Sequence, residues 1–263
     1  MRIAFFQFAP RFGQPDHNLN ALADAVSGVR ADLVVAPELA LSGYLFTRKG
    51  EVVQMAEEVP GPATDRLTRA AEAADCHLVV GFAERSGDRL FNSAALIGPQ
   101  GVLGVYRKVH LFYEEKLYFS PGDRGFPLFD IKGVKVGLLV CFDHFFPEAA
   151  RTLALQGAQV ICHPSNLVLP EYGQLTTRVR SIENRVFWIL ANRYGTERRE
   201  GKALTYSGCS QITAENGEIL ARAQAEGDSL TVVQVDPQRA LNKHVTDRND
   251  LFADRRTELY RWK

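Results

Sequence analysis

Apolar and polar residues along this chain follow two periodicities, which predict strands and helices in alternation. Short runs rich in Val, Ile, Leu and Phe are typical of strands, and spaced Ala, Leu and Val residues are typical of amphipathic helices. We predict helices at about 16–30, 64–75, 147–156 and 171–185. We predict strands at about residues 2–8, 32–36, 77–83, 91–97, 102–107, 134–142, 159–163, 186–193, 205–213, 218–223 and 230–235.

Turn residues indicate where several of these elements begin and end. The segment PGPAT precedes the second helix, so we expect Thr64 to be its N-cap and Asp65 to lie in its first turn. The segments SGDR and GPQG separate the strands between 77 and 107, which is typical of consecutive hairpins.

The order of the elements predicts an α/β fold. Strands alternate with helices, but hairpins occur among them, and there are too many strands for one doubly wound sheet. We therefore expect two sheets packed face to face. The chain has 263 residues, near the upper size for one hydrophobic core. We expect a single domain, 1–263, with residues from about 240 to 263 as a C-terminal arm.

Composition restricts the expected partners. Apolar residues make up 46% of the chain and charged residues 24%, as in ordinary globular proteins. The 31 basic residues balance the 31 acidic ones, so no basic surplus favours nucleic acid or a membrane surface. The first apolar run stops at Gln7, and no run approaches the length of a membrane-spanning helix. We expect a cytoplasmic protein with a small-molecule substrate.

Reactive residue types follow three of the predicted strands. Glu38 follows the run DLVVAP, Lys108 ends GVYRK, and Cys141 ends KVGLLVC. Sites in α/β proteins lie beyond the carboxyl ends of strands, where side chains from different loops converge. Taken singly, each residue is ordinary, because a cysteine usually fills a core and a charged loop residue is usually solvated.

Together the three side chains form a consistent chemical set. A thiol attacks an acyl carbon as thiolate and needs a nearby base or cation. A carboxylate can take that proton and return it to a departing amine, and an ammonium can stabilise an oxyanion. Cys141, Glu38 and Lys108 thus predict a nucleophile, a proton shuttle and an oxyanion stabiliser. The other cysteines, which form no CxxC pair, are expected to be ordinary thiols: Cys76, Cys162 and Cys209.

Two other interpretations use histidines. His144, three residues after Cys141, could form a Cys–His dyad. A metal site could use His110, His144 and His163, but their spacing matches no HxH, HxxxH or HExxH motif. The spacing therefore disfavours a metal site.

Blocks of sequence around the three residues resemble the nitrilase superfamily. The segments PELALSGY, YRKVHLFYEEKLYFSPGD and LLVCFDHFFPEAARTLALQGAQVICHPSNL are similar to its glutamate, lysine and cysteine signatures. The segments GFAERSGDRLFNSAALIGPQGVLGVYRK, SIENRVFWILANR and NDLFADRRTELY extend the resemblance over nearly the whole chain. It implies a four-layer α-β-β-α sandwich without metal or organic cofactor. It also implies a homodimer or larger assembly, formed through helical faces.

The resemblance also implies roles for further residues. Glu115 matches a second glutamate of these enzymes, which would hold Lys108 and the substrate, while Glu114 is the solvated alternative. The backbone N–H of Phe142 would complete an oxyanion hole. Asn166 matches a position that borders the substrate pocket.

The residues after Cys141 favour an amidase. Nitrilases typically read Cys-Trp-Glu, whereas Cys141-Phe142-Asp143 is more similar to amidases and carbamoyl amidases. Carbamoylputrescine-type enzymes tend to carry Gln-Trp where this chain has His144 and Phe145. Nitrilase, N-carbamoyl amidase and an inactive scaffold remain alternatives. We expect an apolar pocket bordered by Tyr44, Tyr113, Phe142, His144 and Asn166.

Overall fold

A computed structural model describes residues 1–260 of the chain. The helices are α1 Pro15–Ser27, α2 Lys49–Met55, α3 Pro62–Ala74, α4 Glu115–Tyr118, α5 Pro147–Leu155 and α6 Tyr172–Asn184. The strands are β1 Arg2–Gln7, β2 Leu33–Val35, β3 His77–Ser86, β4 Arg89–Gly98, β5 Gly101–Arg107, β6 Leu128–Ile131, β7 Val134–Leu138, β8 Val160–Ser165, β9 Phe187–Asn192, β10 Tyr194–Arg199, β11 Lys202–Ser207, β12 Gln211–Thr213, β13 Ile219–Arg222, β14 Ser229–Gln234, β15 His244–Thr246 and β16 Asn249–Asp250.

Most strands form two six-stranded sheets of similar design. The first has the order β14-β1-β2-β3-β4-β5 and the second β13-β12-β9-β8-β7-β6. In each sheet three neighbouring strands are parallel, β1-β2-β3 and β7-β8-β9, and the flanking strands are antiparallel. Parallel neighbours require a crossover, and α1, α3, α5 and α6 are those crossovers.

The sheets pack face to face between two helical layers. Alternate side chains of each strand point to opposite faces of a sheet. On β1, Ile3 and Phe5 join the core shared with the second sheet, whereas Ala4 and Phe6 join the core beneath α1 and α3. Helices α5 and α6 cover the outer face of the second sheet. The predicted α/β class and four-layer α-β-β-α arrangement are confirmed.

Some predicted boundaries were wrong. Helix α3 begins at Pro62 after the N-cap Gly61, so Thr64 is not the N-cap. Thr64 is instead the third helical residue, and its Oγ1 accepts the Gly61 N–H at 2.8 Å. Pro at the first position explains the earlier start, since its missing N–H costs nothing there.

The predicted strands at 134–142 and 205–213 each contain an interruption. Strand β7 ends at Leu138, and Cys141–Phe145 form a 3-10 turn. The second segment divides into β11 and β12, with Gly208 at φ +56° between them. In the first segment apolar composition continues into Cys141, and periodicity alone does not detect a turn made of apolar residues. In the second, Gly208 next to Ser207 is a turn signal that the prediction did not use. The short helices α2 and α4 and the strands β6, β10, β15 and β16 were not predicted.

Residues after 236 continue along the second sheet's helical layer. They include a 3-10 turn at Pro237–Leu241 and the short pair β15–β16. Lys243 Nζ donates to the carbonyls of Asn184 and Arg185 at 2.9 and 3.0 Å, so the segment meets the C-terminal end of α6. Residues 261–263 of the predicted arm lie outside the described residues. Within 1–260, no helix is long and apolar enough to cross a membrane.

Candidate active site

Lys108 lies between two carboxylates at one edge of the sandwich. Its Nζ donates to Glu38 Oε1 and to Glu115 Oε1, both at 2.7 Å. All three side chains are buried. A buried ammonium without a partner would destabilise the fold strongly, and the two carboxylates offset the free energy that burial of Lys108 costs.

Two further polar side chains order this cluster. Asn92 Nδ2 donates to Glu38 Oε1 at 2.7 Å and lies 3.4 Å from Glu115 Oε2. The Tyr44 hydroxyl donates to Glu115 Oε1 at 2.6 Å. Each contact limits the rotamers of a carboxylate, so the three charges are held in one arrangement.

The backbone brings Glu38 close to β3. Three residues after β2, its Cα lies so near Gly81 that a Cβ on Gly81 would be 2.4 Å away. The next residue, Leu39, has a φ of +47°, which turns the chain away from the sheet. Asn166 Nδ2, just after β8, donates to the Glu38 carbonyl at 2.9 Å and ties the second sheet to this turn.

Cys141 occupies a strained position at the start of the 3-10 turn. Its φ is +42°, in the left-handed region that non-glycine residues rarely adopt. Asp143 holds the turn closed, because its Oδ2 accepts the Val140 N–H at 2.8 Å and the Tyr106 hydroxyl at 2.7 Å. A sharp turn after a buried strand presents a nucleophile to a pocket, as in other hydrolases.

The pKa values in the cluster depend on burial and on mutual charge. Burial lowers the pKa of Lys108, but Glu115 and Glu38 outweigh it and raise the pKa above its usual value. Burial raises the pKa of Glu115, and Lys108 offsets this only in part. Burial and the charge of Glu38 raise the pKa of Cys141 well above its usual value, against Lys108 and the Asn166 N–H. The resting thiol is therefore protonated at neutral pH.

The two histidines nearest Cys141 are used in other contacts. His163 Nε2 donates to the Cys141 carbonyl at 2.8 Å, and His144 Nδ1 lies 2.5 Å from Thr176 Oγ1. Burial lowers the pKa of His163 to about 4 and that of His144 to about 2. Across residues 1–260, neither ring hydrogen bonds to the Cys141 sulfur, which disfavours the Cys–His dyad.

The histidines also do not converge on a common point for a metal. His110 Nδ1 lies 2.7 Å from Asp143 Oδ1, and its ring stacks on Phe146 at 3.6 Å. In the described part of the chain, no group of three or more His, Cys, Asp or Glu side chains could hold a metal ion.

Two cavities meet above the cluster. A chamber of about 320 Å³ is lined mainly by apolar and aromatic side chains, with Glu114, Glu115 and Lys202 as its charged members and Tyr44 and Tyr113 among the aromatic ones. A much smaller space of about 20 Å³ borders Cys141, Phe142, His144 and Asn166. Phe112 and Val168 line both, so the narrow space beside the thiol adjoins a wider apolar chamber.

All nine predicted site residues therefore lie in this region, but their surroundings differ. Glu38 and Lys108 are fully buried below the cavities, whereas Tyr113 is 74% exposed at the rim. Sequence reasoning did not identify Asn92, although an asparagine in the apolar strand RLFNSAALIG was a visible signal. Asp143 was identified only as a subfamily marker, and its side chain holds the turn.

The buried histidines predict a pH dependence of stability. Their folded-state pKa values lie below the ordinary value of 6.5, so the unfolded chain binds more protons as pH falls from 6.5 to about 4. The free energy of unfolding should therefore fall with pH across this window. We expect His163→Gln to reduce that slope by up to about 1.4 kcal/mol per pH unit, measured by urea unfolding. An unaltered slope in His163→Gln would contradict the prediction.

The fold and the buried group of one Cys, one Lys and two Glu can now be compared with known proteins, and the comparisons give the class of the protein as a carbon–nitrogen hydrolase. Residues 2–242 match the family model described as carbon-nitrogen hydrolase. The chain is 43% identical to a protein named nitrilase from Pyrococcus abyssi, over 99% of both chains. It is 33% identical to an (R)-stereoselective amidase from a Pseudomonas species, over 98% of this chain and 95% of that one.

Solved structures of an amidase from Nesterenkonia sp. AN1 also match. One, with acrylamide added at the active-site cysteine, has a TM-score of 0.81, 29% identity and 98% coverage of both chains. Another, in complex with butyramide, has a TM-score of 0.79 and 30% identity, covering 98% of this chain and 95% of that one. The chain therefore belongs to the carbon–nitrogen hydrolase family and is a hydrolase of the nitrilase superfamily.

Proposed function

We propose that this protein is an amidase that cleaves small carboxamides to a carboxylic acid and ammonia through a thioester on Cys141. One observation carries the proposal: an ammonium, Lys108, is bonded at 2.7 Å to each of two buried carboxylates beside a cysteine held at positive φ. Such an arrangement supplies a base, a positive charge and a nucleophile in a site from which water is largely excluded.

The first half-reaction forms the thioester. Because the Cys141 thiol is protonated at rest, its proton must leave as the sulfur attacks the amide carbon. Glu38 is the proposed acceptor, since its Oε2 is buried and has no hydrogen-bond partner within residues 1–260. Lys108 Nζ and the Phe142 N–H would stabilise the oxyanion. The C–N bond then breaks, and Glu38 returns the proton to the departing ammonia.

The second half-reaction releases the acid. Glu38, again a carboxylate, takes a proton from water as the water attacks the thioester carbon. The C–S bond breaks, the acid leaves, and Glu38 passes the proton it took from water to the sulfur, which restores the thiol and the carboxylate. Glu115 keeps Lys108 oriented throughout, because it accepts one of the lysine's hydrogen bonds and one from Tyr44.

The cavities support a carboxamide with a compact reacting end and an apolar tail. The space beside Cys141 is narrow, and the adjoining chamber is lined largely by Leu, Phe and Tyr side chains. We assign Asn166 and His144 to the wall beside the reacting group. Tyr44 and Tyr113 would border the tail.

Paired substrates test the choice between amide and nitrile. With butyramide and butyronitrile at equal concentration, we expect ammonia release from the amide to be at least about tenfold faster, equivalent to ~1.4 kcal/mol in the barrier. The same enzyme preparation and ammonia assay serve both compounds, so each is the control for the other. Faster turnover of the nitrile would contradict the amidase assignment.

A nitrilase is the second candidate, because the Pyrococcus abyssi relative carries that name. The same nucleophile, base and oxyanion site would add water to a C≡N bond. An N-carbamoyl amidase would be distinguished by carbon dioxide released together with ammonia.

We also propose a cytoplasmic homodimer or larger assembly, built from one domain, 1–263, with a C-terminal arm. The proposal has two supports: zero net charge, which does not favour nucleic acid or membrane partners, and an apolar row on the outer face of α6. Leu175, Val179 and Ile182 are exposed there at helical spacing. Light scattering tests the assembly, and a monomeric mass at micromolar concentration would contradict it.

A further inference from the structure

Glu197 is a buried carboxylate outside the proposed catalytic set. It lies on β10, in the β10–β11 hairpin, and is 7% exposed. Its oxygens accept the Leu45 N–H at 2.7 Å, the Tyr44 N–H at 3.2 Å and the Tyr206 hydroxyl at 2.8 Å. Arg193 Nη1 donates to it at 2.5 Å. A loop that follows β2 is thereby attached to a hairpin about 150 residues later in the chain.

The loop held by Glu197 carries the hydroxyl that contacts the lysine cluster. Tyr44 OH donates to Glu115 Oε1 at 2.6 Å, and the same oxygen accepts Lys108 Nζ at 2.7 Å. The Tyr44 ring also meets Tyr206 edge to face, with centroids 6.1 Å apart. Glu197 thus restrains Tyr44 at the backbone and, through Tyr206, at the ring.

The geometry favours an indirect role for this carboxylate. Glu197 does not line the chamber or the space beside Cys141. Within residues 1–260, every hydrogen bond that the Glu197 carboxylate accepts comes from the loop after β2, from the β10–β11 hairpin or from Arg193. A shift of the loop would move the Tyr44 hydroxyl, and hydrogen bonds to charged groups weaken steeply with distance and angle.

We propose that Glu197 is a positioning residue, which acts through Tyr44 to keep Glu115 ionised and Lys108 directed at the developing oxyanion. The proposal rests on the proposed amidase function. The Tyr44 hydrogen bond lowers the pKa of Glu115 against the effect of burial. Without it, Glu115 takes up a proton at higher pH, and the neutral carboxyl group binds the ammonium less strongly than the carboxylate does.

A double-mutant cycle tests this proposal. We expect Tyr44→Phe to lower kcat about tenfold, the effect of one hydrogen bond to a charged group, and to move the acid limb of the pH profile upward. Glu197→Gln should move the acid limb in the same direction. The amide has only one acceptor oxygen, so it cannot accept hydrogen bonds from Arg193 and from both backbone N–H groups at once. In the Tyr44→Phe background, Glu197→Gln should cause no further loss in kcat.

Glu197→Gln leaves buried Arg193 without its charge partner, which destabilises the fold. A milder variant covers the case in which Glu197→Gln does not fold. Tyr206→Phe removes one hydroxyl from Glu197 but keeps the aromatic contact with Tyr44. We expect a fall in kcat of about twofold to fivefold and an upward shift of the acid limb, both absent in the Tyr44→Phe background.

Glu215→Gln is the matched control. Glu215 is another buried carboxylate paired with an arginine, Arg239 at 2.8 Å, and it has no contact with the lysine cluster. We expect a lower melting temperature with an unchanged pH profile. An unshifted acid limb in both Glu197→Gln and Tyr206→Phe, or losses that simply add to that of Tyr44→Phe, would overturn the proposal. Failure of wild-type enzyme to hydrolyse any amide would instead overturn the proposed function.

Discussion

Cys141→Ala is expected to abolish amide hydrolysis, lowering kcat by about 10⁴-fold or more. Without the sulfur no thioester can form, and Glu38 and Lys108 have no nucleophile to activate or product to stabilise. The fold should survive, because alanine removes only the sulfur of this buried residue, a loss of about 1 kcal/mol. Ammonia release and thermal unfolding, measured on the same preparation, check both parts.

Cys162→Ala is the control for that variant. Cys162 is a fully buried thiol on β8, and burial raises its pKa above the usual range. Its removal should lower stability by about 1 kcal/mol and leave kcat within about twofold of wild type. Ammonia release that persists in Cys141→Ala at the wild-type rate would rule out the thioester mechanism.

Chemical labelling examines the same residue without turnover. Iodoacetamide carries a carboxamide, so the site should hold it beside Cys141 in the manner of a substrate. We expect mass spectrometry to find Cys141 labelled ahead of Cys209, which is partly exposed, and of the buried Cys76 and Cys162. Equal labelling of Cys141 and Cys209 would indicate an inert thiol.

Glu38→Gln is expected to lower kcat about 10³-fold. The amide cannot take the thiol proton or return one to ammonia, and a positioned acid–base group contributes roughly 10²–10⁴-fold. Glutamine keeps the length of the side chain, and its oxygen can still accept from Lys108 and Asn92, which now meet Glu38 at 2.7 Å each. The variant should therefore fold and bind substrate with a KM close to that of wild type.

The kcat values of Glu38→Gln and of a control variant separate this chemical role from a structural one. Glu215→Gln, which neutralises a buried carboxylate elsewhere, should retain wild-type kcat. A Glu38→Gln enzyme that keeps more than about a tenth of wild-type kcat would exclude Glu38 as the principal base. In that case Glu115, on the other side of Lys108, becomes the candidate.

Much of the fold follows from local pattern. Most strands and the four long helices lie within a few residues of their predicted positions. The helices repeat apolar residues along one buried face, and the central strands, which are buried on both faces, are near-continuous apolar runs. The errors fall where that rule does not apply. Thr64 lies inside α3 because Pro62 starts the helix, and the apolar run into Cys141 conceals a 3-10 turn.

The sequence by itself determined the family, the α/β class and the residue types available for the chemistry. Glu38, Lys108 and Cys141 stood out because each follows a strand, and parallel strands end at a common edge. Their catalytic roles stay predictions. The resemblance to the nitrilase superfamily is confirmed, since its motifs extend over nearly the whole chain.

Only the tertiary structure decided how those residues are held. Asn92 and Tyr44 come from a strand and a distant loop, and no sequence spacing records that both bond to Glu115, the residue that the resemblance had already assigned to holding Lys108. Glu197 accepts the Tyr44 N–H although the two residues are 153 positions apart in the sequence, and no local pattern records that contact either. Such contacts depend on how two sheets pack and how turns fold back, and these are long-range properties that local periodicity does not contain.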